Sequence, residues 1–224
     1  RMNLKNNYYF FQSALSSKLC DDIINYGKQH KPEMAITGGS DDKKHKKADG
    51  SLKKSVINNI QKKRKSDIVW MNDRWIYKEI HPLIHEANAK AGWNFDWDYS
   101  ESCQFTKYGV GQYYGWHCDS WEVPYNRKKL EDGTYPQDHG KIRKLSVTIS
   151  LNNPDEYDGG NLEFDFRNQV DWERNRKKAI KTCEEIRPRG SVIVFPSFMW
   201  HRVAPVTRGT RYSLVVWNLG YPFK

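Results

Sequence analysis

Two side chains that are costly to bury lie two residues apart in the stretch GQYYGWHCDSW, residues 111–121. Alternate residues of a β-strand point to the same side of a sheet, so a strand here places His117 and Asp119 on one face and turns Cys118 to the other. A carboxylate on an inner face must be paired, hydrogen-bonded or bound to a metal ion. The H-x-D pattern is also common at exposed and structural positions, so its meaning depends on the rest of the chain.

His201 is a third candidate ligand, because it follows the strand-like run VIVF, a Pro-Ser turn and an aromatic pair. Alone, it is more simply interpreted as a hydrogen-bonded core histidine. Two histidines and one carboxylate, however, form the facial triad of non-haem Fe(II) sites, which leaves coordination positions open. A β-barrel can bring a close pair on one strand to a ligand on a distant strand. Together, His117, Asp119 and His201 therefore predict a metal site.

Arg211, Ser213, Val215 and Trp217 share one face of the last predicted strand, since side chains alternate along it. A buried arginine without a partner is expensive, so this face favours an anion. A dicarboxylate suits it, because one end forms a bidentate pair with the guanidinium while the other reaches a metal. An internal bridge to an Asp or Glu side chain is the alternative interpretation.

Short β segments separated by turns make up the chain from residue 95 onwards. The pattern predicts strands at 102–108, 112–118, 144–152, 160–166, 178–186, 191–195, 201–206 and 211–219. Eight such strands indicate a sandwich or barrel rather than a βαβ sheet. The long connections 120–142 and 167–178 are typical of lids or binding loops.

The region before residue 95 has a helical texture with strands at its edges. Helices are predicted at 16–30 and 72–92, the second with an apolar stripe of Trp75, Ile76, Ile80 and Ile84, and strands at 6–15 and 66–71. Pro82 lies inside the second helical pattern, where proline kinks or divides a helix.

The composition suits one polar globular domain: of 224 residues, 38% are hydrophobic and 29% charged. We predict a single domain over 1–224, in which 1–95 form a helical support and 96–224 the β core. The four cysteines are scattered without a C-x-x-C pair, as is typical of a reducing compartment. No run is long enough to span a bilayer and no charged-then-apolar leader is present, so we expect a soluble, cytoplasmic protein without a membrane partner.

A lysine-rich segment, residues 41–65, carries much of the net charge of +10. It contains ten Lys or Arg residues and three Asp residues, a net charge of +7, and no Phe, Tyr or Trp. We interpret it as a solvated insertion or mobile loop, with a docking surface as the alternative. Nucleic acid is the less suitable partner, because no side chain of the segment can stack on a base.

The order of these motifs resembles that of the Fe(II)/2-oxoglutarate-dependent dioxygenases, in particular the prolyl-4-hydroxylase-like and PKHD-type hydroxylases. The matching residues are YGVGQYYGWHCD (108–119), RKLSVTISLN (143–152), DGGNLEF (158–164) and GSVIVFPSFMWHRVAPVTRGTRYSLVVW (190–217). They lie within residues 103–219, about half of the chain. The N-terminal half matches only as a helical support, and the lysine-rich segment is not part of the pattern.

The resemblance implies a mainly β fold with α-helices: a double-stranded β-helix (jelly-roll) core buttressed by N-terminal helices. It implies that His117, Asp119 and His201 hold the iron. Arg211 would pair with the distal carboxylate of 2-oxoglutarate, and Tyr108 would hydrogen-bond the same group. The apolar pocket wall would comprise Leu162, Val203 and Trp217, and Ser150 and Ser213 face the pocket by strand alternation.

The activity implied is hydroxylation of a C–H bond, coupled to decarboxylation of 2-oxoglutarate to succinate and CO₂. It requires Fe(II) and O₂, with ascorbate as an optional reductant. The first-choice substrate is a prolyl residue in a peptide or protein, with 120–142 as the substrate lid. A nucleic-acid base oxygenase, a hydroxylase of a free amino acid or other small metabolite, and a non-catalytic jelly-roll module remain alternatives.

Overall fold

The computed structural model describes residues 4, 6–35, 46–47, 51–120, 122–166 and 179–223. The predicted loop 167–178, most of 36–50 and Trp121 lie outside these residues. The helices within them are α1 (Ser17–Gln29), α2 (Lys54–Lys63) and α3 (Arg74–Lys90). The strands are β1 (Tyr9–Phe11), β2 (Glu33–Met34), β3 (Arg64–Lys65), β4 (Asp67–Met71), β5 (Tyr99–Ser100), β6 (Cys103–Tyr108), β7 (Tyr113–His117), β8 (Ile142–Ser150), β9 (Tyr157–Gly159), β10 (Leu162–Asp165), β11 (Ile180–Thr182), β12 (Val192–Pro196), β13 (Trp200–Val203), β14 (Val206–Gly209) and β15 (Arg211–Gly220).

Two antiparallel sheets form the body of the protein. The larger has the order β1-β12-β8-β15-β6-β4-β2, with β5 added to β15, and the smaller has the order β11-β10-β13-β7-β3. A short ribbon of β14 and β9 lies beside them. This arrangement is the predicted double-stranded β-helix, and each of the eight predicted strands overlaps an observed one. The predicted strand 201–206 is divided, because β13 pairs with β7 and β10 whereas β14 pairs with β9.

The predicted helical pattern explains how α1 and α3 cover the larger sheet. Ser16 caps α1, because its side chain accepts a hydrogen bond from the Leu19 backbone N–H at 3.1 Å. Ile23 of α1 and Ile80 of α3 join Leu145 of β8 in one buried apolar cluster. The larger sheet therefore turns its apolar face to the helices and its polar face to the smaller sheet.

Two details of the predicted α3 pattern are wrong. Trp75 is not part of the buried stripe, since it is 37% exposed, whereas Ile76, Ile80 and Ile84 are buried. Pro82 does not divide the helix, which continues from Arg74 to Lys90. The proline ring lies on the exposed side of the helix, and the buried isoleucines on the opposite side hold the helix to the sheet.

The lysine-rich segment differs most from its prediction. Its second half is not a solvated loop: Lys54–Lys63 form α2, and Arg64–Lys65 form β3, which pairs antiparallel with β7. Ile60 fixes α2 to the body, being 3% exposed. The sequence pattern did not predict this amphipathic helix, because the segment is rich in charged residues and the helix has a single buried isoleucine, which gives a weak hydrophobic signal. No helix in the described ranges is both long enough and apolar enough to cross a bilayer.

Candidate metal centre

His117, Asp119 and His201 come together between the two sheets. His117 is the last residue of β7, and His201 lies directly opposite it on β13. Asp119 lies beyond the end of β7, where its backbone N–H donates to the Ser197 carbonyl at 2.9 Å. The predicted shared orientation is observed, but this turn contact, and not strand alternation, places the carboxylate.

A bulge in β7 sets the orientation of His117. Four residues of β7, from Tyr114 to His117, lie opposite three of β13, from Val203 to His201. The extra residue brings the Tyr114 and His117 rings to the same side, where they stack with centroids 3.5 Å apart. Gly115 permits the close approach of α2, because a Cβ atom there would lie 3.1 Å from the Lys63 carbonyl oxygen.

The donor atoms of the three side chains are arranged as a metal would require. They all lie within 4.8 Å of one another. One Asp119 oxygen is 3.5 Å from His117 Nε2, and the other is 3.6 Å from His201 Nε2. Each histidine uses Nδ1 for a backbone carbonyl, Gly115 at 2.7 Å and Met199 at 2.9 Å. These bonds fix the tautomer and leave both Nε2 lone pairs directed to the shared space.

The charge states also suit metal binding. Burial alone would raise the pKa of Asp119, but the adjacent His201 and His117 outweigh it and hold this pKa well below its usual range. Burial, reinforced by His117, lowers the pKa of His201 to about 4. An ionised carboxylate and a neutral imidazole are the forms that bind a cation. Ser146 supports Asp119 from the floor of the site by donating its hydroxyl to a carboxylate oxygen at 2.7 Å.

Arg211 is a buried cation without an anionic partner. It is 1% exposed, lies opposite Tyr108 in strand register, and donates to the Ser213 hydroxyl at 3.3 Å. Its Nη2 atom is buried and has no hydrogen-bond partner in the described parts of the chain. The predicted alternative, an internal bridge to Asp or Glu, is absent among the described ion pairs. A guanidinium in this state favours an incoming carboxylate.

A cavity of about 40 Å³ adjoins the ligand atoms. Tyr108, Leu162, Val203 and Trp217 line it, as the resemblance implies. Arg211 and Ser213 are not on its wall; Arg211 lies opposite Tyr108 in strand register, and Ser213 lies opposite Thr106. The Ser150 hydroxyl and the Trp217 indole nitrogen, like Arg211 Nη2, are buried without a hydrogen-bond partner in the described structure.

Arg64 is a cavity residue that the sequence did not reveal. It is 4% exposed and donates to the Ser66 hydroxyl at 2.9 Å and to the Gln104 side-chain oxygen at 2.6 Å. Its guanidinium carbon lies 4.4 Å from the centre of the Tyr114 ring, and it lines the cavity. The only sequence signal was the R-x-S pattern of Arg64 and Ser66, at the start of the predicted strand 66–71. The lysines that precede this pattern make it difficult to recognise.

The family model described as "2OG-Fe(II) oxygenase superfamily" matches residues 103–218, which include all three candidate ligands and Arg211. The chain belongs to the 2OG-Fe(II) oxygenase superfamily. This membership confirms the family that the sequence predicted. It implies that Fe(II), 2-oxoglutarate and O₂ are the cofactor and cosubstrates. A PKHD-type hydroxylase of Xanthomonas euvesicatoria is 30% identical over 150 residues, 65% of this chain and 57% of the relative. This chain spans about half the length of the curated relatives it matches.

Two solved oxygenase structures share the fold at low sequence identity. A prolyl-4-hydroxylase from Pseudomonas putida superposes with a TM-score of 0.62 at 17% identity, over 96% of this chain and 93% of that one. A prolyl hydroxylase from Trichoplax adhaerens superposes with a TM-score of 0.60 at 16% identity, over 96% of this chain and 84% of that one. That structure contains a peptide fragment of the hypoxia inducible factor oxygen degradation domain. Both confirm the double-stranded β-helix.

Proposed function

We propose that this protein is a Fe(II)/2-oxoglutarate-dependent hydroxylase that acts on a prolyl residue of a peptide or protein and releases succinate and CO₂. The observation that carries the proposal is that one jelly roll holds both the His117–Asp119–His201 cluster and the buried guanidinium of Arg211, which has no anionic partner among the described residues. A closed structural metal site would not require a buried guanidinium beside it.

The residues present fit both groups. His117, Asp119 and His201 would hold Fe(II), which leaves coordination positions for a chelating keto acid and for O₂. Arg211 would take the distal carboxylate of 2-oxoglutarate, and Tyr108 would donate a hydrogen bond to it. When bound, iron and cosubstrate supply the oxidising chemistry that hydroxylates a C–H bond.

The protein supplies orientation, charge and exclusion of water. Leu162, Val203 and Trp217 would form the apolar wall of the cosubstrate pocket. The present cavity of about 40 Å³ reaches Tyr108, and Arg211 lies opposite Tyr108 on the neighbouring strand. Ascorbate belongs to the proposed reaction as a reductant that keeps the iron ferrous.

The prolyl substrate is supported by the names of the relatives. The curated relatives are PKHD-type hydroxylases, and the Pseudomonas and Trichoplax structures are prolyl hydroxylases, the second bound to a peptide fragment. We further propose that residues 1–224 act as one catalytic unit, since β3 and β4 from the first 95 residues are strands of the two sheets.

Succinate release and peptide mass together test this proposal. The protein, Fe(II), 2-oxoglutarate and ascorbate are incubated in air with short proline-containing peptides, and with the same peptides carrying alanine in place of proline. The proposal predicts stoichiometric succinate and a gain of one oxygen only in the proline peptides. Oxidation of single-stranded DNA or RNA, or of free amino acids offered in parallel, without peptide hydroxylation would overturn the prolyl assignment in favour of those substrates.

A further inference from the structure

A second, larger cleft lies apart from the metal cavity. It has a volume of about 780 Å³ and lies between the end of α3, the loop 93–98, the start of β8 and residues 220–223. Trp93, Phe95, Trp97, Tyr221 and Phe223 give it aromatic walls. A volume of this size is ordinary for a ligand site.

Lys144 lines this cleft together with Asp96 and Asp98, but no carboxylate of the described residues lies within salt-bridge distance of its ammonium. The residue is 4% exposed, and its ammonium lies 4.6 Å from the centre of the Phe223 ring. In the described ranges the ammonium forms neither an ion pair nor a hydrogen bond. Burial lowers the pKa of Lys144, and Asp96 and Asp98 oppose this shift.

Lys141 provides the comparison three residues earlier in the chain. It is equally buried, 7% exposed, but its ammonium pairs with an Asp98 oxygen at 2.7 Å. A buried ammonium ordinarily requires such a partner. Lys144 instead directs three hydrogen-bond donors toward an open cleft, and a carboxylate would satisfy them best.

The cleft is close to the metal centre. Lys144 comes two residues before Ser146 on β8, at the point where the pairing register with β15 shifts, and Ser146 hydrogen-bonds Asp119. The Lys144 carbonyl accepts from the Ser197 N–H at 2.9 Å, and the Ser197 carbonyl accepts from the Asp119 N–H at 2.9 Å. One layer of backbone therefore separates the floor of the cleft from the metal-binding turn.

We propose that this cleft binds an acidic residue of the polypeptide substrate, with Lys144 taking its carboxylate and the aromatic walls taking an adjacent apolar residue. An acidic partner also suits a chain of net charge +10. This inference rests on the proposed peptide hydroxylation and names a determinant of its specificity.

Binding is measured separately from catalysis to test the inference. Fluorescently labelled peptides contain one proline, one leucine and one glutamate at increasing distances from the proline, each with a glutamine counterpart. Their affinity for the metal-free protein is measured by anisotropy. We expect one spacing at which glutamate binds about tenfold more tightly than glutamine.

Four variants test whether the cleft causes that preference. Lys144→Met removes the ammonium at similar size and should abolish the preference, whereas Lys18→Met makes the same change in net charge at an exposed lysine paired with Asp22 and should retain it. Asp96→Asn removes the carboxylate that competes at the rim and should strengthen glutamate binding. Thermal unfolding verifies that each variant is folded, and Lys144→Arg, which keeps the charge, should retain part of the preference if Lys144→Met proves unstable.

The outcomes separate the two proposals. A glutamate preference that Lys144→Met leaves unchanged, or no preference at any spacing, overturns the cleft assignment, even if the peptides are hydroxylated. A preference that depends on Lys144 upholds the cleft assignment, and mass spectrometry of the same peptides with the iron-loaded enzyme then decides the proposed hydroxylation by itself.

Discussion

Arg64 and Tyr114 are cross-strand partners, and the guanidinium carbon of Arg64 lies 4.4 Å from the centre of the Tyr114 ring. Tyr114 in turn stacks on the candidate ligand His117. The end of the lysine-rich segment is therefore part of the wall of the metal cavity.

Replacing Arg64 with alanine should destabilise the protein. The change removes the hydrogen bonds that Arg64 donates to the buried Ser66 hydroxyl and Gln104 side-chain oxygen, a cost of roughly 1–3 kcal/mol in the free energy of unfolding. Urea denaturation measures this loss, with Lys65→Ala at the adjacent exposed position as the control. Equal unfolding free energies for the two variants would show that Arg64 is not an integral part of the fold.

Replacing Ser146 with alanine should weaken metal binding without preventing it. The carboxylate of Asp119 loses the hydroxyl that orients it, and loss of such a supporting bond lowers metal affinity by roughly 10–100-fold. Titration of the metal-free protein with Mn(II) or Fe(II) gives the comparison. Ser150→Ala, on the same strand but with an unpartnered hydroxyl, should bind the metal as the wild type does.

Replacing Arg211 with methionine should raise the requirement for 2-oxoglutarate. Loss of the buried charged partner of the 2-oxoglutarate carboxylate should weaken the binding free energy by roughly 2–5 kcal/mol. Tyr108→Phe removes one hydrogen bond and should weaken binding less. Calorimetric titration of the metal-loaded protein with 2-oxoglutarate checks both variants. Arg202→Met, which removes a guanidinium paired with Glu163, should leave cosubstrate affinity unchanged. Unchanged affinity in Arg211→Met would remove Arg211 from the cosubstrate site.

Gly160 should be required because it lies against Arg211. A Cβ atom at Gly160 would lie 2.9 Å from Arg211 Cδ, at a φ of +61°. Gly133 has a φ of +82° with nothing near its Cβ position, so Gly133→Ala controls for backbone strain alone. We expect only Gly160→Ala to weaken 2-oxoglutarate binding in the same titration, and equal affinities in the two variants would contradict the contact.

The fold and the candidate ligands were predictable because their signals are local. Strand alternation placed Arg211 and Ser213 on one face, and the apolar period of α3 identified the isoleucines that meet the larger sheet. The H-x-D pair and His201 were found by residue type and order. These features depend on short spacings that a sequence displays directly.

The remaining features depend on contacts between distant parts of the chain. The bulge that directs His117 arises from pairing with β13, and the turn that places Asp119 depends on a bond to Ser197. Arg64 could not be identified from the sequence, because it carries the same positive charge as the exposed lysines before it and nothing local shows that its side chain is buried. The environment of Lys144 could not be predicted from its strand pattern. The surrounding loops determine whether its ammonium contacts water, a carboxylate or a cleft.

Release of succinate from 2-oxoglutarate, with Fe(II) and O₂, tests the central assignment most directly when wild type is compared with Asp119→Ala. Asp158→Ala, at an exposed carboxylate paired with Arg208, serves as the control. We predict that the wild type and the control release succinate, and that Asp119→Ala, although folded, does not. Succinate release by Asp119→Ala at the wild-type rate would contradict the assignment of His117, Asp119 and His201 as the metal site.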